Sequence, residues 1–352
     1  MKKIGILTLY GYLNYGNRFQ NYAVQEIVKK YGYQTETIVV YSSYKPLFKT
    51  IVCRFLALWG NVQAQRYIKF YKFSHKYIPI RVFVNSKCNL PDTLQYEYQY
   101  FVTGSDQVWN PYVRKKERDI FFLKFANQNQ RICIAPSFGI TCIEEQFKEK
   151  YVDGLNGFNR LSCREQAGIS LIQSLTGRDA DLLIDPTLAL EPKNWQEIAV
   201  NPIDNSKNFI LVAMLGKVDD SQMQIVNRIA EMFKLNIVNI FDSGSVYGPE
   251  EALGLINQAS LVFTDSFHFT AFSINFNIPF VVTHRNDDII NSATYSRITS
   301  LLSLFHLESR AYDQINEIDN LLFCDFAYSN SILKRERIKF FDYIEAEIGV
   351  TK

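Results

Sequence analysis

The chain has 352 residues, of which 47% are hydrophobic and 21% charged, and its formal net charge is +2. A chain of this length and apolar content is expected to form two packed domains, and its composition excludes intrinsic disorder. The net charge is small and the longest basic run is Arg114-Lys115-Lys116, so no nucleic-acid-binding surface is expected.

Short apolar runs alternate with longer helical stretches along the whole chain. The predicted strands are Ile4–Leu9, Thr37–Val40, Tyr100–Thr103, Arg131–Ala135, Arg160–Cys163, Asp181–Ile184, Phe209–Leu215, Leu235–Ile240, Ser260–Thr264 and Pro279–Thr283. The predicted helices are Asn17–Tyr31, Glu144–Asn156, Glu165–Thr176, Ser221–Phe233, Pro249–Asn257 and Phe267–Phe276. This alternation is typical of an α/β fold with parallel sheets and helices on both faces.

The first apolar run, Ile4–Leu9, is too short for the apolar region of a signal peptide and predicts a β-strand. No run approaches the roughly 18 apolar residues of a membrane-spanning helix. The six cysteines have neither CxxC nor zinc-ligand spacing, so we expect free thiols and no metal site. Together these features predict a cytoplasmic protein.

The segment Pro46–Trp59 is the most apolar candidate for a surface helix, and Lys49 and Arg54 interrupt it. Two interpretations are open. The segment is either a helix half buried in its domain or an amphipathic helix that touches the inner face of a membrane.

The composition changes between Asp185 and Asn208, where three prolines lie among polar residues. This pattern is typical of an exposed linker and predicts one domain over 1–190 and another over 205–330. A last helix, over about 331–348, is expected to pack back across the first domain. Two doubly wound domains joined in this way would face each other across a cleft, and ligands of such sheets bind beyond the carboxyl ends of the strands.

The segment Leu9–Gln25 joins the first strand to the first helix and contains Gly11 and Gly16. Backbone N–H groups at a helix start attract anions, and Arg18 would add a positive charge there. The glycine spacing is not that of a dinucleotide-binding loop. The alternative is an ordinary loop whose asparagines turn and cap the chain.

A second candidate lies in Phe101–Pro111, where an apolar strand runs into Gly104, Ser105 and Asp106. The two small residues would let the backbone approach a ligand, and the carboxylate can accept hydrogen bonds from hydroxyl groups. Trp109 could form a wall for a sugar ring. The alternative makes Asp106 a helix N-cap and Trp109 a core residue.

Two more polar residues follow predicted strands directly. Arg164 could hold a phosphate or carboxylate in bidentate fashion, or it could pair with Glu165. Asp185 could orient a ligand or simply shape the linker.

The last candidate is Ala259–Ser273, in which a buried strand ends and a helix starts near Phe267. Asp265 or Ser266 can be the N-cap, so His268 lies in the first turn at the positive end of the helix dipole. An imidazole there suits binding an anion and donating a proton. The alternative is a semi-buried structural histidine among phenylalanines.

Taken together, these segments resemble the polysaccharide pyruvyl transferase family. The resemblance spans roughly residues 4–300. It rests on NYGNRFQNYAVQ, GSDQVWNP, IAPSFG, SCRE, IDPTL, GPEEALGLI and TDSFHFTAFS, in that order.

The resemblance implies two Rossmann-like domains of the GT-B type, with the acceptor expected on the first. It also implies a reaction in which phosphoenolpyruvate and a sugar diol form a cyclic pyruvate ketal during capsular or exopolysaccharide synthesis. The acceptor would be a free, nucleotide-linked or lipid-linked sugar. No metal or other cofactor is needed, because phosphoenolpyruvate is a co-substrate.

The candidate residues fit the needs of that reaction. His268 would be the general acid that protonates the vinyl carbon. The donor's phosphate and carboxylate need cations and helix amides. Arg164 is the candidate cation, with Arg18 as a second choice, and the candidate amides lie near Ser266–Phe269. Asp106 would accept a proton from the sugar. Other acceptor-side residues are expected to be Asn14, Asn17, Gln20, Gly104, Ser105, Trp109, Asp185 and Glu251.

Two other functions are compatible with the same sequence. A glycosyltransferase that uses a nucleotide sugar would need a ribose-binding acid, which Glu250 or Glu251 could supply. A non-catalytic sugar-binding protein is suggested by Ser266, where some family members carry Arg, and by Phe269, where Gly is common.

Overall fold

The structure, a computed structural model, describes residues 2–349 apart from 12, 114–117, 204–207, 217–218, 285–290 and 316, with side chains for all of these except 118 and 291–296. The basic run 114–116 and part of the predicted linker therefore lie outside the described residues. The chain divides into two compact units, Met1–Ala189 with Glu336–Lys352, and Leu190–Arg335.

The first unit is built on a parallel sheet. Its strands are β1 (Lys3–Leu7), β2 (Gln34–Tyr41), β3 (Ile80–Val84), β4 (Tyr100–Gly104) and β5 (Arg131–Ile134). They lie in the order β3-β2-β1-β4-β5, and a short parallel pair follows, β6 (Ser162–Cys163) with β7 (Asp181–Leu182). The order reverses between β1 and β4, and in doubly wound sheets this is the point where ligands bind.

Helices cover this sheet, and they differ in how deeply they are buried. They are α1 (Tyr15–Lys29), α2 (Lys45–Leu58), α3 (Val62–Tyr77), α4 (Glu145–Asn156), α5 (Gln166–Thr176) and α6 (Pro186–Ala189). The Asn14 side chain caps α1 by accepting from the N–H of Asn17, and most of α1 is buried. In α2, by contrast, only Cys53 is buried. The helix expected over Pro46–Trp59 therefore exists, and it packs on its unit by one narrow side while most of its side chains are exposed.

The second unit has its own parallel sheet of four strands. They are β8 (Phe209–Ala213), β9 (Asn236–Asn239), β10 (Leu261–Thr264) and β11 (Phe280–Val282), in the order β11-β10-β8-β9. Its helices are α7 (Pro192–Gln196), α8 (Asp220–Phe233), α9 (Pro249–Gln258), α10 (Phe267–Phe276) and α11 (Asn291–Phe305). Here the order reverses between β8 and β10, so the carboxyl ends of these two strands form the second candidate ligand position.

The last helix, α12 (Ala327–Ile348), begins in the second unit and ends in the first. Its final turns pack on the first sheet, where the Tyr343 hydroxyl donates to the carbonyl of Cys133 at 2.8 Å. The Tyr33 hydroxyl donates to the carbonyl of Ile348 at 2.9 Å. These buried bonds fix the end of α12 to the first unit.

Most predicted strands and helices are present within a few residues of their expected bounds. The helices α3 and α11 and the strand β3 were not predicted. The strand β3 is only partly buried and has no continuous apolar run. The predicted linker also contains α7, whose Trp195 is fully buried in the second unit. Among the described residues, no helix combines the length and apolar character needed to cross a membrane.

Candidate active site

Asp106 lies at the carboxyl end of β4, where the strand order of the first sheet reverses. Its φ is +68°, a left-handed conformation that few non-glycine residues adopt and that aspartate tolerates better than most. One carboxylate oxygen accepts a hydrogen bond from the Asn17 side-chain amide at 2.5 Å. The side chain keeps 11% of its surface exposed. Such conformations concentrate at functional sites.

Arg164 supports this carboxylate from inside the protein. Its side chain is 0% exposed and pairs with Asp185 at 2.5 Å and with Asp106 at 3.4 Å. It also donates to the Ser105 hydroxyl at 3.3 Å. Burial lowers the pKa of the guanidinium, but the carboxylates of Asp185, Asp106 and Glu165 outweigh that effect and raise it. Arg164 is therefore a permanently charged centre of a buried ion-pair network.

A neutral hydrogen-bond network connects β1, β4 and α1 beside this cluster. The Gln20 amide donates to the Thr8 hydroxyl at 2.7 Å and to the carbonyl of Asn17 at 3.1 Å. The Thr8 hydroxyl in turn donates to the carbonyl of Ser105 at 3.1 Å. All four residues are buried, so the network joins the end of β1 to the end of β4, which Asp106 follows.

Glu165 holds the loop that follows β5. One of its oxygens accepts from the Ser137 hydroxyl at 2.9 Å and from the N–H groups of Phe138 and Gly139 at 2.8 and 3.2 Å. Glu165 was expected only as a partner of Arg164, and the two side chains are 3.9 Å apart. Its larger role was missed because the loop that it binds is distant in sequence.

In the second unit, Asp265 connects the carboxyl ends of β8 and β10. Its two oxygens accept from the N–H groups of Leu215 and Gly216 at 2.7 and 2.8 Å. Ser266 occupies the N-cap of α10 and makes no side-chain cap hydrogen bond. Asp265 is therefore not the helix cap, and it instead orders the backbone after β8.

His268 is the second residue of α10 and is buried. Its ring lies edge-on to Phe267, with the ring centroids 5.4 Å apart. The first turn of a helix carries a partial positive charge that stabilises anions nearby. The local structure thus puts an imidazole and the N-terminus of α10 at the strand-order reversal of the second sheet.

Comparison with known proteins places the chain in a family. The family model for polysaccharide pyruvyl transferases matches residues 14–285, which include both of the segments described above. The chain belongs to this family. No curated protein sequence matches the chain significantly.

Solved structures support the fold of this pyruvyl transferase family member. A putative UDP-N-acetylglucosamine 2-epimerase from Listeria monocytogenes matches with a TM-score of 0.51 and 10% identity, covering 100% of this chain and 98% of that one. The UDP-GlcNAc 2-epimerase of Methanocaldococcus jannaschii, in complex with UDP-GlcNAc and UDP, matches with a TM-score of 0.47 and 10% identity, covering 95% and 99%. At this identity the likeness to the first concerns the fold alone, and it confirms the predicted class of two Rossmann-like, GT-B-like domains.

Several residues predicted to touch ligand are buried in the pyruvyl transferase fold. Trp109 is 0% exposed and packs among Phe122, Phe138 and Phe158. The prediction that it forms a wall for a sugar is therefore wrong, and the core alternative is correct. The prediction that Arg164 holds the donor directly is also wrong for the side chain as folded, since two carboxylates occupy its guanidinium.

Three predicted acceptor contacts are support residues instead. Ser105 is 0% exposed and donates to Asp185 at 2.7 Å. The other oxygen of Asp185 accepts from the N–H and the hydroxyl of Thr187, so it shapes the start of α6. Gln20 is also 0% exposed, and its side-chain amide N–H groups donate within the network described above. The prediction that these three side chains contact the acceptor directly is therefore wrong.

The remaining predictions on the acceptor side have local explanations. Asn14 is the N-cap of α1. A Cβ on Gly104 would lie 3.3 Å from Val24, so this glycine allows the strand to approach α1 closely. Glu251 accepts from the N–H of Gly248 at 3.0 Å and so caps α9. Among these residues the structure shows no arrangement that presents a ligand-binding group.

Arg18 lines a cavity of about 320 Å³ whose lining includes neither Asp106 nor Arg164. Its guanidinium stacks 4.1 Å from the centroid of the Tyr10 ring. Phe269 is buried and its ring lies 6.4 Å from that of Phe241, so it belongs to the core of the second unit. Within the described residues, no cluster of His, Cys, Asp and Glu has the composition of a metal site.

Proposed function

We propose that this protein transfers the enolpyruvyl group of phosphoenolpyruvate to two hydroxyls of a sugar and forms a cyclic ketal. A proton adds to the vinyl CH₂ and gives an electrophilic C2. The first hydroxyl attacks C2 and loses its proton. Phosphate then leaves, the second hydroxyl closes the ring on the same carbon, and its proton is released. The sum is one ketal and one inorganic phosphate, within capsular or exopolysaccharide synthesis.

The observation that carries this proposal is the position of Asp106. It is the most exposed member of a buried charge cluster, and it lies where ligands of doubly wound sheets bind. Asn17 and Arg164 contact different oxygens of the carboxylate and fix its orientation. An oriented carboxylate can accept the proton of an attacking hydroxyl.

We assign the donor side of the reaction to the start of α10. His268 is the general acid for the vinyl carbon, and the positive end of the helix and the Ser266 hydroxyl bind the donor's phosphate. Arg164 does not bind the donor in this assignment. It acts as a positioning residue that holds Asp106 and Asp185. Arg18 is left out of this assignment because it lines a separate cavity.

The test is acceptor-dependent phosphate release. The full-length protein is incubated with phosphoenolpyruvate and free, nucleotide-linked or lipid-linked hexoses, and the product is examined by mass spectrometry for a pyruvate ketal. His268→Asn is expected to reduce turnover by about 10²- to 10⁴-fold, the usual contribution of a general acid. The matched control is His306→Asn, an exposed histidine of the same unit. Full turnover of His268→Asn across pH 6–8 would overturn the assignment.

A second candidate function is transfer from a nucleotide sugar. The fold likeness to a UDP-N-acetylglucosamine 2-epimerase favours it, but Glu251 is occupied as a helix cap. Release of a nucleotide from a sugar nucleotide without phosphoenolpyruvate would replace the first proposal by this one. Tight sugar binding with no turnover of any acceptor would indicate a non-catalytic family member.

A further inference from the structure

The helix α2 exposes an apolar stripe to solvent. Phe48, Ile51 and Phe55 are 63%, 65% and 61% exposed, and Leu58 and Trp59 continue the stripe at 86% and 78%. With 3.6 residues per turn, all five side chains fall on one side of the helix. A contiguous exposed apolar surface of this kind marks an interaction site.

The opposite side of α2 is fixed to its unit. Cys53 packs against Ala64 and Tyr67 of α3. The Thr50 and Tyr67 hydroxyls are 3.0 Å apart and share a hydrogen bond. The helix is therefore held in place by its buried side, and its apolar side is presented outward by a rigid support.

Basic residues border the stripe on both sides. By helical periodicity Lys45 and Lys49 lie along one edge and Arg54 lies along the other, and all three are exposed. Long basic side chains at the edges of an apolar stripe can keep their charges in the headgroup layer while the stripe enters the acyl boundary.

All charged residues in the sequence around α2 are basic. Between Glu36 and Asp92 there is no acidic residue. The same stretch carries the basic residues Lys45, Lys49, Arg54, Arg66, Lys69, Lys72, Lys76, Arg81 and Lys87. Because the whole chain has a net charge of only +2, the remainder is net negative. The positive charge is thus concentrated in this stretch of the sequence, and its exposed members on α2, Lys45, Lys49 and Arg54, would complement an anionic surface.

We propose that α2 docks this protein on an anionic phospholipid membrane. The helix lies in the plane of the interface, with Phe48, Ile51 and Phe55 at the acyl boundary and the basic edges at the lipid phosphates. Arg18 and Arg54 also line the cavity of about 320 Å³ beside α2. The proposal does not depend on which reaction the protein catalyses.

The test is flotation of the full-length protein with vesicles of phosphatidylcholine alone or mixed with phosphatidylglycerol. The wild type is expected to bind the mixed vesicles and to dissociate as salt rises. Two double variants probe the two parts of the surface. One combines Ile51→Asn with Phe55→Asn and tests the apolar stripe. The other combines Lys45→Glu with Lys49→Glu and tests the basic edge. Each should weaken binding by about 100-fold or more, because the first pair removes apolar surface from the acyl boundary and the second reverses two charges at the lipid phosphates.

The matched control is Tyr96→Asn, which removes a side chain that is 81% exposed and lies outside α2. It should bind vesicles as the wild type does, and thermal unfolding should show that all variants are folded. Equal vesicle binding by the wild type and the α2 variants would refute the proposal. The proposal would also be refuted if the wild type did not bind vesicles but formed a dimer, and if the Ile51→Asn, Phe55→Asn double variant did not form that dimer. In that case α2 would contact a second copy of the chain. Ketal formation on a soluble acceptor is measured separately.

Discussion

Replacement of Arg164 by methionine should strongly destabilise the first unit and leave the second unit unchanged. Methionine approximates the length of the side chain and removes its charge. The change leaves Asp185, whose side chain is 0% exposed, without the cation that lies 2.5 Å away, and it removes the 3.4 Å contact to Asp106.

The magnitude follows from the burial of this cluster. Removal of one partner from a buried ion pair typically costs about 3–5 kcal/mol, because the other charge stays in a poorly solvating environment. Arg160→Met is the matched control from the same region. Its side chain is 40% exposed and donates to Asp181 at 2.7 Å, and an exposed pair contributes only about 0–1 kcal/mol.

Urea unfolding measures both effects, with one transition fitted for each unit. With a urea dependence of about 1–3 kcal/mol per molar, and the upper end expected for a unit of this size, the midpoint of the first unit should fall by roughly 1–2 M in Arg164→Met. It should change little in Arg160→Met. Adding Asp185→Asn to Arg164→Met should restore part of the loss, since it removes a buried negative charge.

If Arg164→Met lowers the free energy of unfolding by less than about 1 kcal/mol, this reasoning is refuted, because an uncompensated buried carboxylate should destabilise the unit by more. A shift of the second transition instead of the first would also contradict it. Wild-type phosphate release by Arg164→Met would show in addition that Arg164 does not position Asp106.

The other predictions concern the proposed base, one titrating group and the thiols. Asp106→Asn should reduce ketal formation by about 10²- to 10⁴-fold with little change in stability, because the amide can still hydrogen-bond Asn17. Burial raises the pKa of Glu347 above its usual value, so its proton favours the folded state at low pH, and this contribution is lost as the pH rises through the raised pKa. Glu347→Gln should therefore be the more stable protein at pH 7, by about 1 kcal/mol or less, and should lose this advantage near pH 4, as urea midpoints will show. Burial raises the pKa of Cys133 to about 11, so a disulfide reagent should label the exposed Cys142 quickly and Cys133 only after unfolding.

Each of these has an outcome that contradicts it. Undiminished turnover of Asp106→Asn would remove it as the base. An advantage of Glu347→Gln that grows toward acid pH would mean that the carboxylate is stabilised in its ionised form. Rapid labelling of Cys133 in the native protein would show that the sheet beneath α12 opens readily.

The sequence by itself determined the fold class and the location of the important segments. Apolar strands that alternate with helices typically pair their backbone hydrogen-bonding groups in parallel sheets. The alternation can be read from neighbouring residues. The TDSFH block also predicted its own structure, because a strand, a cap and a helix start are encoded by neighbouring residues. His268 accordingly lies in the first turn of α10, as expected.

Only the tertiary structure decided what most polar residues of those segments do. Arg164 follows a strand, as many ligand-binding arginines would, but its partners Asp106 and Asp185 are 58 and 21 residues away in sequence. Trp109 follows a strand in the same way, yet its ring packs against Phe122, Phe138 and Phe158, which are 13, 29 and 49 residues away in sequence. Burial and pairing depend on long-range packing, and no periodicity encodes them.

The helix α2 shows the same division. Its helical pattern and its apolar character were visible in the sequence, but whether the apolar side packs inward was not. The structure places the small buried side on α3 and turns the larger apolar side outward. A stripe that would normally form a core is thus left on the surface, and the basic residues beside it suit an anionic partner.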